Sequence, residues 1–166
     1  MNSTLTQSRL QELLNYDPNT GLFTWKFAHS KRVHAGDVAG SPSKKGYFLI
    51  GIDSRVYRAH RLAWLYVYGK FPEHYIDHIN GIVTDNRIEN LRDVGNATNM
   101  ENQKIAPSHN KSCGVLGVSR EKNRRRWRAV ITTNGKQTHI GYFDTIEEAH
   151  NAYLAAKRQL HVGCTI

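Results

Sequence analysis

Asp77-His78-Ile79-Asn80-Gly81, then Asn86-Arg87-Ile88-Glu89-Asn90-Leu91 and, nine positions after Asn90, Asn99, form the stretch on which the fold turns. Tyr75-Ile76-Asp77 is a short β-rich run, Gly81 opens a polar loop, Leu91–Val94 is a second run, and 96–104 has helical character. Strand, loop, strand, helix is the predicted order. On a regular strand Asp77 and His78 point to opposite faces, so joint work requires the strand to end or twist there, which Gly81 allows. Hydrolysis of a phosphodiester bond needs an activated water, a cation on the phosphate oxygens and the departing 3′ oxygen, and close placement of the bond. Asp77 and Asn99 are hard oxygen donors, and His78 can be a neutral base near pH 7. Singly, such residues are ordinary turn formers and caps. A calcium loop is excluded, since it would need a polar residue at Ile79 and its glycine one place after Gly81.

Upstream, Leu10, Leu13 and Leu14 share one helical face, and Asn15-Tyr16-Asp17-Pro18-Asn19-Thr20-Gly21 stops that helix with turn formers. Residues 22–26 alternate as a strand. The run Tyr47-Phe48-Leu49-Ile50-Gly51-Ile52 and Val56-Tyr57-Arg58-Ala59 predict a hairpin turning at Asp53-Ser54, with a basic, Gly-rich loop over 30–46 before it. An apolar helix over 59–68 ends at Gly69 and Pro72. Its opening pair, His60 and Arg61, is explained equally by packing and by phosphate contact. Gln103 is expected one turn after Asn99 on the same helix face, where it serves a phosphate, a water or simple solvation.

Downstream, Ile-Ala-Pro-Ser-His-Asn-Lys-Ser at 105–112 reads as a linker. Three antiparallel strands follow at 115–119, 127–132 and 137–142, with turns at Lys122-Asn123 and Asn134-Gly135. A last helix is announced by a capping box, Thr145-Ile146-Glu147-Glu148, with Lys157 and Arg158 in its final turn and Gly163 beyond. The expected class is α+β, with domains at 1–104 and 113–166.

The chain has 166 residues, a formal net charge of +9 and 39% hydrophobic residues, so it is expected to fold and to meet a polyanion. Residues 1–103 hold 12 basic and 10 acidic side chains, against 11 and 4 in 104–166, so the C-terminal part is the more electropositive. The two cysteines, Cys113 and Cys164, have neither disulfide-framework nor zinc spacing. No apolar run approaches a membrane span, and the expected setting is the cytoplasm.

The segment 76–103 resembles the HNH motif of the ββα-metal nucleases, in the version found in phage and intron-encoded homing endonucleases. The likeness extends more loosely back to Phe23-Thr24-Trp25 and the first helix. It implies His78 as general base, Asn90 as the catalytic residue that ties the loop and keeps His78 aimed, and Asp77 and Asn99 as ligands of one divalent ion. Asn99 stands where the motif name has histidine, and Asp77 where some relatives place one. Oxygen in place of nitrogen favours Mg2+, with Mn2+ as the other candidate.

The C-terminal part resembles the DNA-binding domain of plant ethylene-response factors, a three-stranded sheet backed by one helix. Gly117-Val118, Trp127-Arg128-Ala129 with Ile131, Ile140-Gly141-Tyr142-Phe143-Asp144-Thr145, Glu147-Glu148-Ala149 and Ala152-Tyr153 carry the likeness. Such a sheet enters the major groove. Arg120, Arg124, Arg125, Arg126, Arg128 and His139 are its candidate DNA contacts, while Arg61 and Arg87 are those of the nuclease part. Ser119, Thr132 and His139 depart from that domain's usual arginine and tryptophan contacts, and Trp127 suits the core as well as the groove. The expected partner is duplex DNA, met by a monomer or weak homodimer. Rival functions are a DNA-binding regulator with a decayed nuclease, and a restriction or packaging-associated nuclease.

Overall fold

Thr6 caps the first helix, α1 (Gln7–Leu13), by accepting the Arg9 N–H at 3.2 Å. Leu14 does not continue the helical face. It leaves the helix with extended backbone and starts β1 (Leu14–Asp17), in which Leu14 and Tyr16 point inward and Asn15 and Asp17 outward. The turn expected over 15–21 is confined to its second half. There Asp17 accepts the Asn19 N–H and the Thr20 hydroxyl, and the chain returns as β2 (Leu22–Trp25), antiparallel to β1. Burial of Leu14 and Tyr16 outweighs the turn propensity of their neighbours.

The computed structural model describes residues 5–28, 30–103, 106, 113–120 and 125–165. The basic stretch expected as loop contains a short edge strand, β3 (Ser41–Pro42), where proline costs no ladder bond. It pairs with β4 (Phe48–Ile52), which pairs with β5 (Arg55–Arg58) in the order β3-β4-β5. Asp53 and Ser54 both take positive φ (48° and 63°), as a two-residue hairpin requires. Next comes α2 (Ala59–Tyr68), which buries Ala59, His60, Leu62, Ala63 and Leu65 and ends at left-handed Gly69. β6 (Tyr75–His78) and β7 (Leu91–Val94) form an antiparallel pair, with a 3-10 turn, Ile88–Asn90, leading into β7. Leu10, Leu14, Phe23, Ile50, Ile52, Leu62 and Leu91 meet in one core.

The chain divides into two compact units, Met1–Val94 and Gly95–Ile166. The second begins with α3 (Asn96–Glu101), shorter than the expected helix, and holds the sheet β8 (Val118–Arg120), β9 (Trp127–Thr133) and β10 (Lys136–Phe143), in the antiparallel order β10-β9-β8. Asn134 and Gly135 make the β9–β10 turn with positive φ. One face of the sheet is covered by α4 (Ile146–Leu160), whose capping box closes through Glu148 N–H to Thr145 Oγ1 (3.1 Å) and Thr145 N–H to Glu148 Oε2 (3.2 Å). Tyr153 of α4 lies so close to Gly117 that any Cβ there would fall inside its ring, and Gly117 also has φ +71°. The class is α+β. The linker, Ala106 apart, and the Lys122-Asn123 turn lie outside the described residues.

Candidate active site

β6 delivers Asp77 and His78 at its C-terminal end, paired in register with Arg92 and Leu91 of β7. Both are buried, at 7% and 5% exposure, although neighbours on a strand point to opposite faces. The carboxylate of Asp77 meets its cross-strand partner: Arg92 Nε and Nη2 both donate to Oδ2, at 2.9 and 2.7 Å. The ring of His78 lies on another side, edge-to-face with His60 of α2 (centroids 5.1 Å, planes at 89°) and 6.3 Å from the ring of Tyr47.

The loop after His78 is tied at several points. Gly81, at φ +77°, turns the chain so that its N–H reaches the His78 carbonyl at 2.8 Å. Asn90 closes the loop with both ends of its amide: Oδ1 accepts the Asn80 N–H at 2.9 Å and Nδ2 donates to the Asp85 carbonyl at 2.8 Å. Its own carbonyl accepts the Ile79 N–H. Asp85 accepts from Arg87 Nε and Nη2 at 2.8 and 2.7 Å and from Asn80 Nδ2 at 2.7 Å, and these bonds, Arg87 foremost, hold its carboxyl down at about 2.

Asn86 is the residue that motif reasoning missed. It is buried (3%), and its Oδ1 lies 3.2 Å from His78 Nε2. An amide oxygen only accepts, so Nε2 carries the hydrogen of the neutral ring and Nδ1 is its basic nitrogen. The main chain of Asn86 is in turn held by the N-terminal hairpin. Tyr16 Oη donates to its carbonyl at 2.8 Å, and Gly21, at φ +73°, packs so tightly that a Cβ would stand 2.5 Å from Arg87 N. Asn86 stands inside the quoted motif run, but nothing local marks it as the partner of His78, because its own main-chain anchor is 70 residues away.

The two histidines are kept neutral. Burial pushes His60 down to about 3, and repulsion from Arg58 and Arg61, and from His78 whenever that ring is protonated, adds to the cost of protonation. Burial also lowers His78, partly offset by its bond to Asn86 and by the charges of Asp77 and Asp85.

The proposed DNA contacts of this unit are engaged internally. Arg61 donates to the carbonyls of His74 (3.2 Å) and Pro72 (3.4 Å) and lies 5.8 Å from the ring of Phe71; Arg87 also bridges to Glu89 at 2.9 Å. Asn99 belongs to the second unit, half-buried on α3, with its N–H on the Gly95 carbonyl. The helix stops before Gln103, which lies off the helical face where it was expected and donates to Met100 Sδ. The end of α3 is fastened to the chain's C-terminal residues by Gly163 N–H to Glu101 Oε2 and by the Thr165–Asn102 side-chain bond, and buried Lys157 donates to the Gln103 carbonyl.

On the sheet, Ala129 and Ile131 face α4, so Arg128, Val130 and Thr132 face away. Ser119, His139 and Tyr142 are register partners on that outer face. Arg128 Nη2 reaches Gln137 at 3.5 Å, and His139 stacks near Tyr142. Trp127 packs against the core of this unit. Arg120 is its register partner and lies 5.4 Å from its ring, so strand alternation puts Arg120 on the helix-covered side rather than the outer face. Arg126 pairs with Asp144 at 2.9 Å, Arg125 is exposed, and Arg124 lies outside the described residues.

Protein 3.8 of Escherichia phage T7 is 35% identical to the chain over 105 residues, covering 63% of this chain and 84% of the phage protein. The chain belongs to the protein 3.8 family. In this member of the protein 3.8 family, residues 57–101 match the HNH endonuclease family and 113–161 match the AP2 domain, the latter over nearly the span of the ethylene-response-factor likeness. No solved structure matches this protein 3.8 relative. Among its described residues no group of three or more His, Cys, Asp and Glu gathers as a metal site, and no helix is long and apolar enough to cross a membrane.

Proposed function

We propose that the chain is a divalent-metal-dependent endonuclease that hydrolyses phosphodiester bonds of duplex DNA, with functional domains 1–104 and 113–166 joined by 105–112. The observation that carries this reading is a buried neutral histidine, His78, oriented by Asn86 and set beside a buried carboxylate in a loop that Asn90 ties shut. Buried, fully bonded side chains are preorganised, so little reorganisation is needed at the moment of reaction.

In this mechanism His78 takes a proton from the attacking water as its oxygen bonds to phosphorus, the bond to the 3′ oxygen breaks, and the leaving oxygen is protonated from solvent. Asn86 fixes which ring nitrogen is basic, and Asn90 holds the loop so that the ring keeps its aim. The HNH likeness would give a hard cation to Asp77 and Asn99, a carboxylate and an amide oxygen; within the first unit Asp77 is the donor, and the cation would share or displace the Arg92 that now holds its Oδ2. Bound there, Mg2+ or Mn2+ would stabilise charge on the phosphate and on the departing oxygen.

The outer face of the sheet around Arg128, with exposed Arg125 and Arg126, would hold the duplex, and tethering raises the local concentration of DNA at the catalytic loop. Homing, in which the enzyme cuts a long site to start transfer of its own gene, is the role this pairing of modules suits.

The test is incubation of the purified chain with supercoiled plasmid, with Mg2+ and with chelator, and cleavage mapping on both strands of DNA flanking its gene. Nicking with Mg2+ that stops with chelator is expected, and His78→Ala should bind without cutting. Normal cutting by that variant would remove His78 as base, and tight binding with no cutting by the wild type would favour a regulator.

A further inference from the structure

The charge of the first unit is strongly uneven in a way that the count over 1–103 hides. Residues 59–94 hold four basic side chains and five acidic ones. All four cations have partners inside the unit: Arg61 on two carbonyls, Lys70 on Glu73, Arg87 on Asp85 and Glu89, Arg92 on Asp77. Residues 26–58 hold seven basic side chains against two acidic, and none of the seven makes an ion pair among the described residues. One of the two acids, Asp53, is taken by Arg9.

Three of the seven cations, Lys44, Lys45 and Arg58, belong to segments that pack next to the loop after His78. The turn at 43–47 is closed by Ser43 N–H to the Tyr47 carbonyl and Gly46 N–H to the Ser43 carbonyl, both at 2.8 Å. It presents Lys44 and Lys45 to solvent. Gly46 sits against the loop after His78, where an added Cβ would come 3.2 Å from Val83 Cγ2. Tyr47 then connects inward and outward at once: its ring lies 6.3 Å from that of His78 and 5.4 Å from that of His60, and exposed Arg58 stacks over it at 5.1 Å.

We propose that the 43–47 turn and Arg58 form a phosphate-binding clamp of the first unit, which seats the backbone of the duplex beside His78. The clamp rests on the nuclease reading above. It differs from the sheet of the second unit both in position and in what it does. Cations on a tight backbone turn, next to the base, hold the phosphodiester chain in register with the site and read no sequence. The clamp also replaces Arg61 and Arg87, whose guanidinium groups are committed inside the fold, as the unit's DNA contacts.

The experiment measures binding of the full-length chain to a duplex in the His78→Ala background, so that the DNA stays intact, over a range of salt concentrations. Lys44→Gln/Lys45→Gln should lower the slope of log K against log salt by about 1.8, since each phosphate contact contributes about 0.9. Lys44→Arg/Lys45→Arg should restore it, and Lys70→Gln, whose charge is spent on Glu73, should leave it alone. An unchanged slope in the glutamine pair, or no binding to duplex at all, would overturn the clamp. With His78 intact, the glutamine pair should raise KM and keep kcat, because these contacts are equally strong before and during reaction. Failure of the wild type to cut with Mg2+ would instead overturn the nuclease reading, and the salt slope would still decide the clamp.

Discussion

The loop after His78 in the first unit and the outer sheet face of the second both depend on polar side chains, but they place them oppositely. Between Asp77 and Asn90 the important groups are turned inward: Asp77, His78, Asn86 and Asn90 are all buried, and His60 is buried behind them. In the sheet region Arg126, just before β9, and His139 on β10 stand in solvent, and Arg128 on β9 is half-buried. A buried polar group must be fully bonded and tolerates no substitution cheaply, whereas an exposed cation contributes through its field and is individually dispensable. The two units should therefore fail differently when mutated, one by all-or-none loss and the other by degrees.

The largest expected effect is that of His78→Ala, which should reduce cleavage by about 10²–10⁴-fold with DNA affinity unchanged, as read by single-turnover cutting and by gel shift. Retained cutting would break the contrast at its strongest point. Next is Asn90→Ala. It orphans the Asn80 N–H and the Asp85 carbonyl, so urea unfolding of the first unit should show a loss of about 1–3 kcal/mol for each group that water does not reach.

The third is a pH dependence. His60 has a folded value of about 3 against 6.5 when unfolded, so it is neutral in the fold and takes up a proton on unfolding below 6.5. Its contribution is complete above pH 6.5 and is lost as pH falls toward 3, at about 1.4 kcal/mol per pH unit. Denaturant titrations at pH 7, 6, 5 and 4 should show at least that loss, with His78 adding to it, and His60→Gln should reduce the slope by the His60 part. Smallest is Arg126→Gln, just before β9: the unfolding midpoint should hold, since its partner Asp144 is as exposed as it is, while the salt slope of DNA binding drops by about 0.9. A stability loss there equal to that of Asn90→Ala would erase the distinction between the units.

Much of this was legible because local signals carried it. Thr145 and Glu148 announce α4 four residues at a time, Asn134-Gly135 and Asp53-Ser54 each specify a hairpin, and the strand–loop–strand order follows from Asp77, Gly81 and Leu91. Elements that depend on distant burial were not legible. β1 exists because Leu14 and Tyr16 find a core, although the residues around them favour a turn. Asn86 acquires its place through Tyr16, and Arg120 is separated from Arg128 by a register that no composition reveals. The charge count had the same weakness: it summed cations without knowing which ones the fold had already neutralised.

Gly21 lies well outside the 57–101 segment that matches the HNH family, yet its backbone rests on Asn86 and Arg87. A cassette cut at the family boundaries and grafted elsewhere would lose that buttress and the Tyr16 phenol together. The smallest transplantable piece of this chain that keeps the His78 loop intact therefore starts no later than the β1–β2 hairpin. Swaps between relatives should keep that hairpin and its loop as one inherited set, because a residue with a Cβ at position 21 would push directly on the main chain that aims the histidine.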